Sequence, residues 1–141
     1  MADIVYEAKL TPQSETAIGD ALVAFNRSQV PSFPAPETIG LVLKRPDDGS
    51  VEGGLTARIS FNHMFVEMLV VPERLRGQGV GRQLMQQAEA VARERGCAGI
   101  WLDTFSFQAP GFYEKLGYAV FGAIGNYPPG HSRFFLHKPL S

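Results

Sequence analysis

The stretch Val70-Val-Pro-Glu-Arg-Leu-Arg-Gly-Gln-Gly-Val-Gly-Arg82 decides how the chain is read. An apolar strand closes at Pro72, a short loop follows, and Gly77, Gly79 and Gly81 open a helix. The helix is predicted over residues 80–95, because Val80, Leu84, Ala88, Val91 and Ala92 share a face and Gly96 is a good stop. The first N–H groups of a helix have no intrahelical partner, and the helix dipole adds positive potential there. Glycines let a bulky anion approach the backbone. Arg74, Arg76 and Arg82 fall within nine residues and are opposed in that stretch by Glu73 alone. Physically this is a pyrophosphate site. The alternative is a tight glycine turn with solvated arginines, since glycine spacing by itself is a weak signal.

Upstream, residues 4–10 are predicted as a strand, and Thr11-Pro12 as a helix start with a capping hydroxyl and Pro at the first helical position. Ile18, Leu22 and Phe25 then mark one apolar helical face. The prolines of Val30-Pro-Ser-Phe-Pro-Ala-Pro36 rule out regular helix there. Strands follow at residues 38–44, 51–61 and 65–71, with turns at Asp47-Asp48-Gly49-Ser50 and Asn62-His63, and Gly53-Gly54 as a bulge or bend. Downstream, a strand at 98–104, a short helix at 110–116 and strands at 118–124 and 133–137 are expected. This alternation implies an α/β (α+β) chain, a mixed sheet with helices on its faces. A length of 141 residues suits a single domain over residues 1–141.

Composition removes several classes of function. With 45% hydrophobic and 19% charged residues the chain is not disordered. A net charge of −1 offers no field for nucleic acid. Cys97 is the one cysteine, which excludes an internal disulfide and fits a reducing compartment. No apolar run is long enough to span a membrane, and the N-terminus has no signal-peptide pattern, so a cytoplasmic location is expected. No His, Cys and carboxylate cluster has metal-ligand spacing, and no metal is expected. A P-loop is excluded because Gly81 is followed by Arg82-Gln83, and a dinucleotide fold because the glycine spacing is wrong.

Arg76-Gly77-Gln78-Gly79-Val80-Gly81 resembles the Arg/Gln-x-x-Gly-x-Gly/Ala signature of the GNAT superfamily of N-acetyltransferases. Glu67-Met-Leu-Val-Val-Pro72 is similar to the family's fourth strand. Ala109-Pro-Gly-Phe-Tyr-Glu-Lys-Leu-Gly-Tyr118 is similar to its Ala-x-x-Phe-Tyr-x-x-x-Gly-Phe/Tyr segment. The resemblance implies the acyl-CoA N-acyltransferase fold, with six or seven strands and a splayed sheet centre. It implies acetyl-CoA as cosubstrate, held by Leu69, Val70, Val71, Arg76, Gly77, Gln78, Gly79, Val80, Gly81 and Arg82. Ser106, where many members carry asparagine, is grouped with them by position. The acceptor is expected to be a primary amine, on a small molecule first and on a protein or peptide second. A non-catalytic acyl-CoA sensor is the reading from another class. The resemblance also admits a homodimer.

Within this frame Tyr113 is the candidate acid. A phenol near pKa 10 is protonated at neutral pH and can give its proton to a leaving thiolate; otherwise Tyr113 is a core aromatic. Glu67 in its apolar strand is the candidate base, acting through water, or else the partner of Arg58. Alternation would put it on one face with Phe65, Leu69 and Val71. His63 can assist as base or be structural, and Asp103 can bind the amine or cap. His131 and Arg133 can wall the acceptor site or face solvent. Cys97 is read as structural.

Overall fold

The computed structural model describes residues 2–140. Its backbone contacts divide the chain into two compact units, Met1–Pro36 and Glu37–Ser141.

The first unit is built on helix α1, Pro12–Gln29. Thr11 caps it as the sequence indicates, its side chain accepting from Ser14 N, with Pro12 at the start. The strand expected at residues 4–10 does not form. A strand needs a neighbour for its N–H and C=O groups, and here the segment turns to local bonds instead: Thr11 N donates to Glu7 Oε1 at 3.1 Å. No residue of α1 is buried.

The second unit is one six-stranded sheet in the order β1-β2-β3-β4-β6-β5. The strands are β1 Glu37–Lys44, β2 Val51–Ser60, β3 His63–Val70, β4 Gly99–Phe105, β5 Ala119–Gly125 and β6 Ser132–Pro139. Only the β3–β4 pair is parallel. The β1–β2 register slips between Leu43, which pairs with Gly53, and Lys44, which pairs with Val51, so Glu52 is the extra residue there and the bulge lies one residue before the glycine pair. A Cβ on Gly54 would collide with the Leu41 carbonyl, so the backbones approach there as only glycine allows. Helix α2, Val80–Glu94, buries Leu84, Met85, Ala88 and Ala92 against the sheet. Full burial of a side chain such as Leu or Met contributes about 1.5–3 kcal/mol. Short helix α3, Pro110–Lys115, adds Tyr113 to the same core.

Two irregularities position the site. Thr56 pairs with Met68 and Ala57 with Val66, so Glu67 is an extra, unpaired residue in β3. Such a bulge shifts the side-chain phase by one. Met64 and Val66 are in the core before it, and Leu69 and Val71 pack against the core after it. The simple alternation that put Phe65 on one face with Leu69 and Val71 is therefore broken at Glu67. The second irregularity is that β3 and β4 pair only from His63 with Gly99 to Val66 with Leu102. Beyond those residues they part, while β2 still holds β3 to Val70 and β6 still holds β4 to Phe105.

Candidate active site

A cavity of about 850 Å³ fills the fork between β3 and β4. Val66 to Val71 line one side and Leu102 to Phe105 the other. In β4, Leu102 and Thr104 are buried on the helix side of the sheet, and Asp103 and Phe105 alternate to the opposite face. All four line the cavity. The opening thus runs through the sheet from one face to the other.

The helix-side mouth carries the glycine loop. Gly77 and Gly79 have φ of +75° and +77°, with open space where a Cβ would stand. Gly79 is the N-cap of α2 and no side chain caps the helix, which leaves its first N–H groups free for an anion. A Cβ on Gly81 would lie 3.3 Å from Phe112 Cζ, so this glycine lets α2 start tight against α3. Arg76 lines the cavity; its Nε donates to the Val71 carbonyl at 3.1 Å, and it has no carboxylate partner among the described residues. Arg74 does not join it. Its guanidinium pairs with Glu52, which also takes Arg45 at 3.4 Å. Of the three arginines grouped by spacing, Arg76 and Arg82 are left without a carboxylate partner among the described residues, because β2 supplies Arg74 with an acid that spacing does not reveal. Leu69, Val70, Val71 and Gly81 line the cavity with Arg76, while Gly77, Gln78, Gly79, Val80 and Arg82 form the loop and helix start beyond it.

Tyr113 lines the cavity from α3. It is 9% exposed, its ring edge-on to Phe112 at 5.0 Å. Burial, and secondarily the charge of Asp103, pushes its phenol above the ordinary tyrosine range. The hydroxyl makes no hydrogen bond among the described residues, so its proton is available to a ligand. Tyr113 is thus a core aromatic and a cavity group at once.

Residues 11–118 match the acetyltransferase (GNAT) family. The chain belongs to that family. It is 38% identical over 127 residues to acetyltransferase Atu2258 of Agrobacterium fabrum, covering 89% of this chain and 90% of that one. A crystal structure of a putative acetyltransferase from Agrobacterium tumefaciens is 33% identical, with a TM-score of 0.89 over 98% of this chain and 99% of that one. A blasticidin-S acetyltransferase of Streptomyces morookaense is 42% identical over 93 residues, 65% of this chain and 68% of its own. The GNAT fold with its mixed sheet flanked by helices, and the acetyltransferase class, are therefore established for this chain.

Of the remaining candidates of this GNAT chain, Glu67 and Asp103 line the cavity, and Ser106, His63 and Cys97 do not. Glu67 lines the cavity at the bulge, but it is exposed and makes no ion pair with Arg58 or any other described residue. Its carboxylate therefore bears no burial cost in the apolar strand, since at the bulge the side chain is open to solvent. Asp103 lines the cavity and binds Arg133, whose Nε and Nη2 reach Oδ1 at 3.1 and 2.9 Å. Arg133 Nη1 also donates to the Tyr127 hydroxyl at 3.0 Å. The Asp103 bond outweighs burial and pushes the Arg133 guanidinium up.

Ser106 does not line the cavity. Its Oγ accepts from Ser132 N at 3.0 Å and so ties the end of β4 to the start of β6. Gln108, which sequence reasoning does not single out, lines the cavity and accepts from Thr104 Oγ1 at 3.0 Å and Phe105 N at 2.8 Å. Its position after Phe105-Ser106-Phe107 carries no periodic signal. His63 is outside the cavity, at the start of β3, where its Nε2 lies 3.2 Å from His137 Nε2. Cys97 is buried, and burial pushes its thiol up, as for an inert structural cysteine. Among the described residues no group of three or more His, Cys, Asp or Glu side chains can hold a metal, and no helix is long and apolar enough to cross a membrane.

Proposed function

We propose that the chain transfers an acetyl group from acetyl-CoA to a primary amine on a small molecule, directly, with both substrates bound. The observation that carries this reading is the cavity that passes through the fork of the sheet, with Tyr113 on its helix side and Glu67 on the other. Two mouths on opposite faces suit two substrates that meet in the middle.

The residues present fit acetyl-CoA. The αL glycines and the uncapped start of α2 suit its pyrophosphate, with Arg76 and Arg82 as cations. The parted edges of β3 and β4 have backbone groups suited to an amide-rich arm, which can add as a strand does. When bound, this substrate supplies an activated thioester. Glu67 takes a proton from the acceptor ammonium, through water where the span requires it. The freed amine nitrogen bonds to the acetyl carbon, the carbon–sulfur bond breaks, Tyr113 gives its proton to the sulfur, and the extra proton left on the nitrogen departs through water and restores the Tyr113 phenol. Its raised pKa keeps that proton in place through neutral pH.

A small-molecule acceptor is supported by the relatives. One is a blasticidin-S acetyltransferase, and another, 35% identical over 81 residues, is a streptothricin acetyltransferase of Streptomyces lavendulae. A thiol-release assay with acetyl-CoA across antibiotics, polyamines, amino acids and peptides tests the reading. Acetylated product from small amines supports it; release with peptides alone, or with no amine, refutes it.

A further inference from the structure

Phe105 and Phe107 line the far mouth of the cavity, and further rings pack behind them. Phe105 stacks on Phe107 at 5.3 Å between centroids, and His131 meets Phe107 edge-on at 5.0 Å. Tyr127 leans on Phe105 at 5.5 Å. Arg133 binds this cluster from within, its guanidinium 5.4 Å from the Phe105 centroid, 5.3 Å from Tyr127 and 5.4 Å from Phe135. Asp103 neutralises that guanidinium at 2.9 Å. The rings are thus held in place before any ligand arrives.

Phe107 lines the cavity yet is 56% exposed. Packed against Phe105 and His131 and still largely open to water, the ring offers apolar area that a ligand gains by covering. One carboxylate sets the charge preference: Glu67 has no partner among the described residues, whereas Asp103 is matched by Arg133. The wall therefore suits a flat π system on a molecule that also bears a cationic amine. Charge and flatness come from different parts of the wall, so the ring and the amine are set apart on the acceptor.

We infer that Phe107 is a specificity-determining residue, and that the acceptor is a primary amine bearing an aromatic or heteroaromatic ring which stacks on it. This rests on the acetyl-transfer reading above. Aliphatic amines reach the same carboxylate and can lie over Phe107, but they gain no ring–ring stacking there.

The test uses the intact protein and matched amines of similar length, tryptamine and phenethylamine against hexylamine and cadaverine. The expected result is a kcat/KM about three- to tenfold higher for the ring-bearing pair, carried by KM. In Phe107→Ala the ratio falls to about one, and Phe107→Leu, which keeps apolar bulk, falls between. Equal values across the set in the wild type, or a ratio that survives Phe107→Ala, overturns the inference. Calorimetric binding of the same amines to the CoA-loaded wild-type protein reads the subsite without turnover. A ring preference there with no transfer refutes acetyl transfer but keeps the subsite; no ring preference refutes the subsite whatever the transfer assay gives.

Discussion

Inside the core the Tyr118 hydroxyl donates to Glu89 Oε2 at 3.1 Å, joining β5's approach to the middle of α2. The other oxygen of Glu89 accepts from Lys138 Nζ at 2.9 Å, and Lys138 also donates to the Leu116 carbonyl at 2.8 Å. A carboxylate on the buried face of a helix is tolerable only when its oxygens are matched in this way. Tyr118→Phe is expected to destabilise the fold by about 1–2 kcal/mol, the loss of one buried bond to a charged group. Glu89→Ala also leaves Lys138 without its carboxylate and should cost about 3 kcal/mol. Urea denaturation of both variants checks the order; equal stabilities for all three proteins would mean that the network contributes nothing.

The same buried phenols set an alkaline limit. Burial first, and then the charge of a nearby carboxylate, raises both Tyr113 and Tyr118, through Asp103 and Glu89 respectively. The unfolded chain releases these protons near pH 10, while the folded chain keeps them to higher pH. Above about pH 10 the native state holds more protons, so stability falls as pH rises, by up to about 1.4 kcal/mol per pH unit for each tyrosine. Below about pH 10 the contribution is fully present. Thermal melts from about pH 8 to about pH 11 should show the decline, and Tyr118→Phe should make it shallower. An unchanged slope in that variant would assign the alkaline limit elsewhere.

At the glycine loop, Gly79→Asp and Gly79→Asn separate charge from shape. Both side chains tolerate the left-handed conformation that Gly79 adopts. The aspartate should weaken acetyl-CoA binding about 100-fold, or about 3 kcal/mol, and the asparagine less than about tenfold. Calorimetry on the folded variants decides the matter. Matching affinities for all three would mean that no pyrophosphate sits at this helix start.

Tyr113→Phe keeps the ring against Phe112 and removes the proton donor. Acetyl-CoA affinity should change little, and the single-turnover rate should fall about 100-fold. A variant that transfers at the wild-type rate would reduce Tyr113 to packing. Glu67→Gln should lower the same rate by a similar factor, and because Glu67 is exposed the fold should tolerate the change.

The loop and both motifs were legible in the chain because their chemistry is local. Gly77, Gly79 and Gly81 need only their own backbone, and Pro110 and Gly117 bracket α3 within one turn or two. What escaped depends on distant pairing. The bulge at Glu67 exists because β2 matches Thr56 to Met68 and Ala57 to Val66, a register that no periodicity in β3 encodes. Arg74 has the spacing of a phosphate ligand, but Glu52, from another strand, claims it. Arg133 reaches Asp103 across β4 and β6, and Glu89 is satisfied by residues from beyond α3. The segment at residues 4–10 has the composition of a strand but gains no neighbour.

Where β3 and β4 part, each keeps its outer partner and loses its inner one. The sheet consequently carries two raw edges in its middle besides the outer ones of β1 and β5. Unpaired edges are templates on which other chains can add and aggregate. A bound acetyl-CoA arm would cover both inner edges, so turbidity on mild heating should fall when CoA is present. Where the proposed donor fills that fork, its loss bares both edges, and the chain becomes sticky as well as idle.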